Sequence, residues 1–239
     1  MPLHIYKDAE EVCSALAAWV AALIDTTLDV KENFTWALSG GETPKLLYQK
    51  LSSAPYDTKI KWDRLRVFWG DERFVPFDDK DNNAKMAYDN LLSKVAIPPD
   101  HVHKIWTDVT SEESVKQYEK LLHQYFDNKQ TTFDLTLLGL GEDGHTLSLF
   151  PGSEILNDRQ SWVRAVFSKE KGERITLMPS VVNRSSATVF LVTGENKAKV
   201  LQQIIEQPDG HVYPAQLIHP ANAELHWFLD EEAAKYLDK

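Results

Sequence analysis

Residues 133–140 read Phe-Asp-Leu-Thr-Leu-Leu-Gly-Leu, apolar almost throughout. A strand with apolar residues on both faces belongs in a sheet covered on both sides, the condition of a parallel sheet between helices. Working outward, Phe34–Leu38, Leu65–Trp69, Trp162–Phe167, Arg174–Met178, Ala187–Val192 and Glu224–Asp230 read as further strands, with His101–Ile105 as a short one. Helical patterns fall between them. Residues 8–25 carry Val12, Leu16, Trp19, Leu23 and Ile24 at helical spacing. Residues 84–95 form a second helix that stops before Pro98-Pro99, and Thr110 with Glu113 makes a capping box for a third, reaching about Phe126. Residues 195–207 form a fourth, closed by Pro208, and Glu231–Leu237 a terminal one. Strands alternating with helices mean an α/β fold with a mostly parallel sheet and right-handed crossovers. With no repeat and no linker, residues 1–239 are expected to form one domain.

The chain has 239 residues, with 26 Lys and Arg against 36 Asp and Glu, a formal charge of −10. That balance argues against nucleic acid or an anionic membrane surface as partner, since both require positive charge facing phosphate. It leaves room for a small phosphorylated ligand held by a few local cations. The apolar run Leu16–Ile24 is far short of the roughly 20 residues of a membrane span. Met1 is not followed by a basic start and an apolar run, so a cytoplasmic protein is expected. A single cysteine, Cys13, excludes an internal disulfide and any multi-cysteine metal site, and its apolar setting predicts a buried, inert thiol.

In an open parallel sheet, ligands bind beyond the carboxyl ends of the strands, and each chemistry-bearing motif falls there. Ser39-Gly40-Gly41-Glu42-Thr43-Pro44 joins a strand to a helix whose expected first residue is Pro44, capped by Thr43. Two glycines turn backbone N–H groups toward an anion and the helix start adds partial positive charge. Gly70-Asp71-Glu72-Arg73 follows the next strand. Gly139-Leu140-Gly141-Glu142-Asp143-Gly144-His145 follows the central one. This last is a formal GxGxxG match, but Pro151-Gly152 leaves room for only a short helix from His145 to Phe150, so a dinucleotide fingerprint is not expected. A histidine at a strand end, with Asp143 two residues before it, is placed for proton transfer. Arg174 opens its strand, and Lys197 sits in the first turn of a helix, where the dipole favours anions rather than cations. His101 and His103 lack a third ligand at metal spacing, and His211, His219 and His226 lie in turn or strand contexts without evident partners, so no metal site is expected.

Five segments in order, ALSGGETPKLLYQKL, VFWGDERFVPFDDKDNNAKMAYDNLL, DLTLLGLGEDGHTLSLFPGS, RITLMPSVVN and VTGENKAKVL, resemble the sugar-phosphate lactonase/deaminase family, on its 6-phosphogluconolactonase side. The match is strongest from Leu38 to Leu201. The resemblance implies a Rossmann-like three-layer α/β/α sandwich and hydrolysis of a small sugar-phosphate lactone, 6-phospho-D-glucono-1,5-lactone, without metal or cofactor. The expected assembly is a monomer or small homo-oligomer. It further implies that the loop opened by Ser39, with Gly40, Gly41 and Thr43, joins Arg174 and Lys197 in holding the substrate phosphate. Asp71, Arg73, Asp143 and His145 would line the sugar end, with His145 as general base.

Three positions depart from the family pattern. Glu42 stands where Ser or Thr is usual and is expected to point away from the phosphate. Leu147 replaces an alanine, and residues 78–83, Asp-Asp-Lys-Asp-Asn-Asn, alter the rim. The rival reading is a glucosamine-6-phosphate deaminase, which carries a glutamate five residues after the histidine; here that residue is Phe150. A sugar-phosphate sensor without catalysis is a third reading, disfavoured because a sensor has no use for the base.

Overall fold

The two strands that frame the site are adjacent at the centre of a parallel sheet. In chain order the elements are β1 (Leu3–Tyr6), α1 (Ala9–Leu28), β2 (Phe34–Leu38), α2 (Glu42–Leu51), α3 (Tyr56–Lys59), β3 (Leu65–Trp69), β4 (Asp71–Arg73), α4 (Asn83–Ala87), α5 (Ser111–Phe126), β5 (Leu135–Leu138), β6 (Val163–Ser168), β7 (Gly172–Leu177), α6 (Pro179–Val182), β8 (Ala187–Val192), α7 (Ala198–Glu206) and β9 (Glu224–Asp230). The computed structural model describes residues 1–127, 129–206, 213–220 and 223–238. Pro208 and His211 lie outside them.

Six strands form the main sheet in the order β1-β9-β8-β5-β2-β3, and every neighbouring pair is parallel. The chain runs outward from β2 to β3, then crosses back to β5 and continues to β8 and β9. The direction reverses between β2 and β5, and such a switch point opens a crevice at the carboxyl ends of the two strands. All four residues of β5 are buried, as the apolar run from Phe133 requires. Asp134 fixes the opposite end of the β2–β5 pair: it accepts from the Thr35 amide at 2.8 Å and from Lys31 Nζ at 2.6 Å.

Helices flank the sheet. α1 packs against α2, β9 and β2, and α5 packs against β6 and β7. Asp8 caps α1 by accepting from the Glu11 amide at 3.0 Å, and Thr110 caps α5 through the Glu113 amide at 3.2 Å. α1 is longer than expected, and an 18-residue window of its 20 residues has a mean hydropathy of 1.4, enough by length and composition for a membrane span. Val12, Leu16, Val20 and Ile24 face the core, which is the pattern of a helix packed on a sheet. Cys13 is buried there, and burial pushes its thiol up to about 12.

Several expectations need correction. Residues 163–168 and 172–177 do not join the parallel sheet; β4, β7 and β6 form a separate antiparallel sheet. The Asp71–Arg73 segment is itself a strand of that sheet. Residues 101–105 make only an isolated bridge between Val67 and Val102. Glu231 to Leu237 forms turns in place of a helix, with the Ala233 amide drawn back to Asp230 Oδ1 at 2.7 Å. β1 was not foreseen: four residues on the sheet edge with alternating exposure give too short a pattern to stand out. His226 does have partners, His4 at 3.1 Å and Glu224 at 3.2 Å. Buried residues of both sheets belong to one contiguous core.

Candidate active site

The crevice at the ends of β2 and β5 is a cavity of about 400 Å³. Its lining includes Ser39, Gly40, Gly41, Asp71, Arg73, His145, Arg174 and Lys197. Eight of the ten residues singled out from sequence therefore meet in one place. The other two stand behind it. Asp143 holds His145 from outside the lining, and Thr43 spends its hydroxyl on Thr193, 2.7 Å away.

The β2 end is fixed by a buried phenol. Tyr48 Oη accepts from the Ser39 amide at 3.0 Å and donates to the Ser39 carbonyl at 2.7 Å. α2 begins at Glu42 with Gly41 as its N-cap at φ 106°, a left-handed value that favours glycine. Helix initiation is thus two residues earlier than Thr43–Pro44 suggested, because Gly41 already leaves the strand. A Cβ on Gly40 would lie 1.9 Å from Asn83 Oδ1, so the loop's close approach to Asn83 requires glycine. Glu42 does point away, its carboxylate exposed and 3.2 Å from Lys45 Nζ.

The β3 end has the same device. Tyr118 Oη accepts from the Trp69 amide and donates to the Trp69 carbonyl, both at 2.9 Å. The chain then enters β4, whose alternation separates its acids. Asp71 faces the cavity and accepts from Ser148 Oγ at 2.7 Å. Glu72 is fully buried on the other side and accepts from the amides of Arg73, Asn83 and Ala84 at 2.7–2.8 Å. Burial pushes its carboxyl up to about 7 against those three donors. This clamp seats the start of α4, and with it Asn83, whose Nδ2 donates to the Asp71 carbonyl at 3.1 Å. Arg73 Nη1 donates to the Asp81 carbonyl at 2.7 Å.

After β5 the chain makes a tight turn instead of a helix. The Gly141 amide donates to the His145 carbonyl at 2.8 Å and the Gly144 amide to the Gly141 carbonyl at 3.0 Å. A Cβ on Gly141 would lie 1.9 Å from His145 Nδ1. His145 Nδ1 is hydrogen-bonded to Asp143 Oδ1. That assigns the Nδ1 proton to the Asp143 side and leaves the Nε2 lone pair free; no described residue bonds Nε2. Burial holds the imidazole below its ordinary value, with Asp143 pulling the other way, so the ring is neutral at neutral pH. Burial also opposes ionisation of Asp143, but the hydrogen bonds from His145 and Lys171 outweigh it and hold that carboxyl at about 2.

Four cations, Arg73, Lys171, Arg174 and Lys197, line the cavity of this acidic protein. Arg174 and Lys197 are both lowered from their ordinary values, first by burial. Cations kept short of water and of full acidic pairing mark an anion site. Lys197 ends a 3-10 turn, Glu195–Lys197, that follows Gly194 at φ 94°, and Glu142 Oε1 is 3.8 Å from its Nζ.

Sequence reasoning missed Lys171, Asn83 and Ser148, which also line the cavity. Lys171 sits at a hairpin tip where a basic residue looks ordinary, and the two arms of that hairpin look locally like any other pair of strands. Asn83 lies in the departing segment 78–83. His101 and His103 do not form a metal pair: Arg66 Nη1 lies 2.7 Å from His101 Nδ1, and Tyr125 Oη 2.7 Å from His103 Nε2. Among the described residues, no group of three or more His, Cys, Asp or Glu side chains is arranged for a metal.

Residues 7–227 match a family model described as glucosamine-6-phosphate isomerases/6-phosphogluconolactonase. A 6-phosphogluconolactonase from Nostoc sp. is 38% identical, with 90% of this chain and 89% of that protein aligned. 6-Phosphogluconolactonase 3, chloroplastic, from Arabidopsis thaliana is 37% identical, with 98% of this chain and 75% of that protein aligned. The solved structure of 6-phosphogluconolactonase from Trypanosoma brucei superposes with a TM-score of 0.90 at 29% identity, covering 99% of this chain and 98% of that one.

Proposed function

The chain belongs to the glucosamine-6-phosphate isomerase/6-phosphogluconolactonase family, and from that premise we propose that it hydrolyses 6-phospho-D-glucono-1,5-lactone to 6-phospho-D-gluconate. The observation that carries the reading is the Asp143–His145 pair beside a cavity lined by four cations. The pair supplies a base, and two of those cations, Arg174 and Lys197, supply a seat for the phosphate.

In this reading Arg174, Lys197 and the amides of Gly40 and Gly41 at the head of α2 bind the phosphate. Ser39 and Thr43 shape that loop. Holding a group remote from the reacting carbon fixes the lactone carbonyl near His145. His145 Nε2 takes a proton from water as its oxygen attacks C1. Arg73 or loop amides stabilise the oxyanion. When the tetrahedral intermediate collapses, the bond from C1 to the ring oxygen breaks and the imidazolium returns its proton to that oxygen. Water is consumed and the new carboxylic acid ionises to solvent. Asp143 orients the ring throughout, and Asp71, held by Ser148, contacts sugar hydroxyls.

The deaminase reading asks for a carboxylate where Phe150 stands, and the Phe150 ring packs 5.1 Å from that of His145. An apolar ring there supports the lactonase. We further propose that residues 1–239 act as one domain, supported by the single core; that the assembly is a monomer or small homo-oligomer; and that the site is cytoplasmic and takes a sugar phosphate, not nucleic acid or membrane.

The test follows freshly made lactone with 6-phosphogluconate dehydrogenase as the coupling enzyme, after subtracting spontaneous hydrolysis. Acceleration by the wild type and its loss in His145→Ala are expected. Ammonia release from glucosamine 6-phosphate, or no acceleration at all, would overturn the reading.

A further inference from the structure

We infer that Lys171, at the tip of the β6–β7 hairpin, is a positioning residue for the Asp143–His145 pair: its ammonium holds the second oxygen of Asp143 and faces the ring nitrogen that Asp143 holds with the first. The inference rests on the lactonase reading for its kinetic part only.

Three contacts converge on one Nζ. It lies 3.0 Å from Asp143 Oδ2, 3.1 Å from His145 Nδ1 and 4.6 Å from the centre of the Phe150 ring. The hairpin is closed by the Ser168–Gly172 pair, with Gly172 at φ 72°, and the Lys171 amide donates to Ser168 Oγ at 3.3 Å. The ammonium is therefore delivered by the small antiparallel sheet to a loop of the large parallel one.

An isolated surface pair of Lys and Asp contributes little. This one divides the two oxygens of a carboxylate among three donors. Oδ1 receives the His145 amide at 3.2 Å and the Nδ1 proton of the same residue, and Oδ2 receives Lys171. The carboxylate cannot rotate without losing these bonds, so the tautomer with a free Nε2 lone pair is held.

Charge acts with the geometry. The groups facing His145 are Asp143 on its own loop, Asp71 from β4, Lys171 from the hairpin and the uncharged Phe150 ring. Beyond Asp143 lie Lys197 and, paired with it, Glu142. Both carboxylates facing the ring favour an imidazolium; Lys171 and burial oppose it. Removing Lys171 takes away one of the two effects that disfavour the charged ring and so raises its titration, and a protonated ring cannot accept a proton from water. The same ammonium makes the imidazolium a better acid at the moment the ring oxygen must be protonated.

The experiment is a titration of the His145 C2 proton by NMR on the free protein, identified by its absence in His145→Ala. It is run for wild type, Lys171→Met and Lys171→Arg, beside kcat and KM across pH. Lys171→Met is expected to titrate about one unit or more above wild type, the size of shift a removed neighbouring charge gives. Lys171→Arg is expected to stay near wild type. In Lys171→Met, kcat should fall more at pH 6 than at pH 8, with KM nearly unchanged. An unmoved His145 titration in a folded Lys171→Met protein overturns the inference, as does a rise in KM alone, equal at every pH, which would make Lys171 a substrate ligand. The NMR result stands whether or not the lactone proves to be the substrate, so failure of the reaction assignment and failure of this inference are separate outcomes.

Discussion

Arg73 and Arg174 stand directly opposite each other in the register of β4 and β7, and both line the cavity. Like charges at a cross-strand position repel. Burial lowers Arg174 from its ordinary value, and Arg73 lowers it further, while Asp71, Glu72 and Asp81 pull the other way. A cross-strand arginine pair of this kind favours an anion beside it.

An anion should therefore stabilise the wild type more than it stabilises a protein missing one arginine. Inorganic phosphate is expected to raise the wild-type Tm, and Arg174→Met should abolish that shift without lowering the Tm of the free protein. A lost hydrogen bond to a charged group costs about 1.5–3 kcal/mol, so KM for the lactone should rise about tenfold or more. A phosphate-induced shift retained in Arg174→Met would place the anion elsewhere.

The pH profile follows from the His145 environment. Burial holds the imidazole below its ordinary 6.5, and the base must be neutral, so the acid limb of kcat/KM should lie below pH 6.5. Asp143 pulls this value up, so Asp143→Asn should move the limb still lower while reducing kcat, because the ring loses its acceptor. Asp143 itself is held at about 2 against an ordinary 3.8. Its contribution to stability is complete above 3.8 and lost as pH falls through 2, so it titrates apart from the imidazole. An acid limb above 6.5 in the wild type would contradict this account.

Gly141→Ala tests the histidine by displacing it. The added methyl would lie 1.9 Å from His145 Nδ1 and 2.7 Å from Asp143 Oδ1. The ring must move, and kcat is expected to fall toward the level of His145→Ala, a loss on the order of 10²–10⁴-fold if general-base help is removed. Gly152→Ala is the control. Nothing lies within 4 Å of its Cβ, yet its φ is +76°, so it should cost about 1–2 kcal/mol of stability and leave kcat intact. Equal kcat losses in the two variants, measured on folded protein, would remove the steric argument.

The sequence was legible where a pattern lasted long enough to be periodic or apolar. Leu65–Trp69, Ala187–Val192 and Glu224–Asp230 have the observed bounds, since each alternates or runs apolar against flanking turn residues. The pairing of residues 163–168 with 172–177 was not legible, because a short hairpin and two parallel strands share the same local pattern. That error hid Lys171, which reaches His145 only once the hairpin folds over the loop after β5. Thr43 shows the converse. Its place in the loop marked it for the phosphate, yet its hydroxyl bonds to Thr193, 150 residues away, a partner that local reading does not contain. Glu72 is one more charge after a strand in the sequence, and only its burial and its bonds to the Asn83 and Ala84 amides show that it clamps the start of α4.

Two buried tyrosines offer the last prediction, because they perform one task at two strand ends. Tyr48 closes both backbone groups of Ser39, and Tyr118 both backbone groups of Trp69. Neither side chain is exposed. Removing either hydroxyl leaves a buried N–H and C=O without their partner, each worth about 1–3 kcal/mol. Tyr48→Phe and Tyr118→Phe should each lower the Tm by several degrees, at about 2–4 °C per kcal/mol for a chain of this size. Their kinetic effects should differ. Ser39 leads directly into Gly40 and Gly41, so Tyr48→Phe should raise KM with little change in kcat. Trp69 leads through Gly70 into Asp71 and Arg73, so Tyr118→Phe should lower kcat. The Gly70 amide also donates to the Leu38 carbonyl at 2.9 Å, tying the two ends together, and if that tie alone positions both loops the variants will share one kinetic phenotype, which would sink the assignment of one loop to each tyrosine.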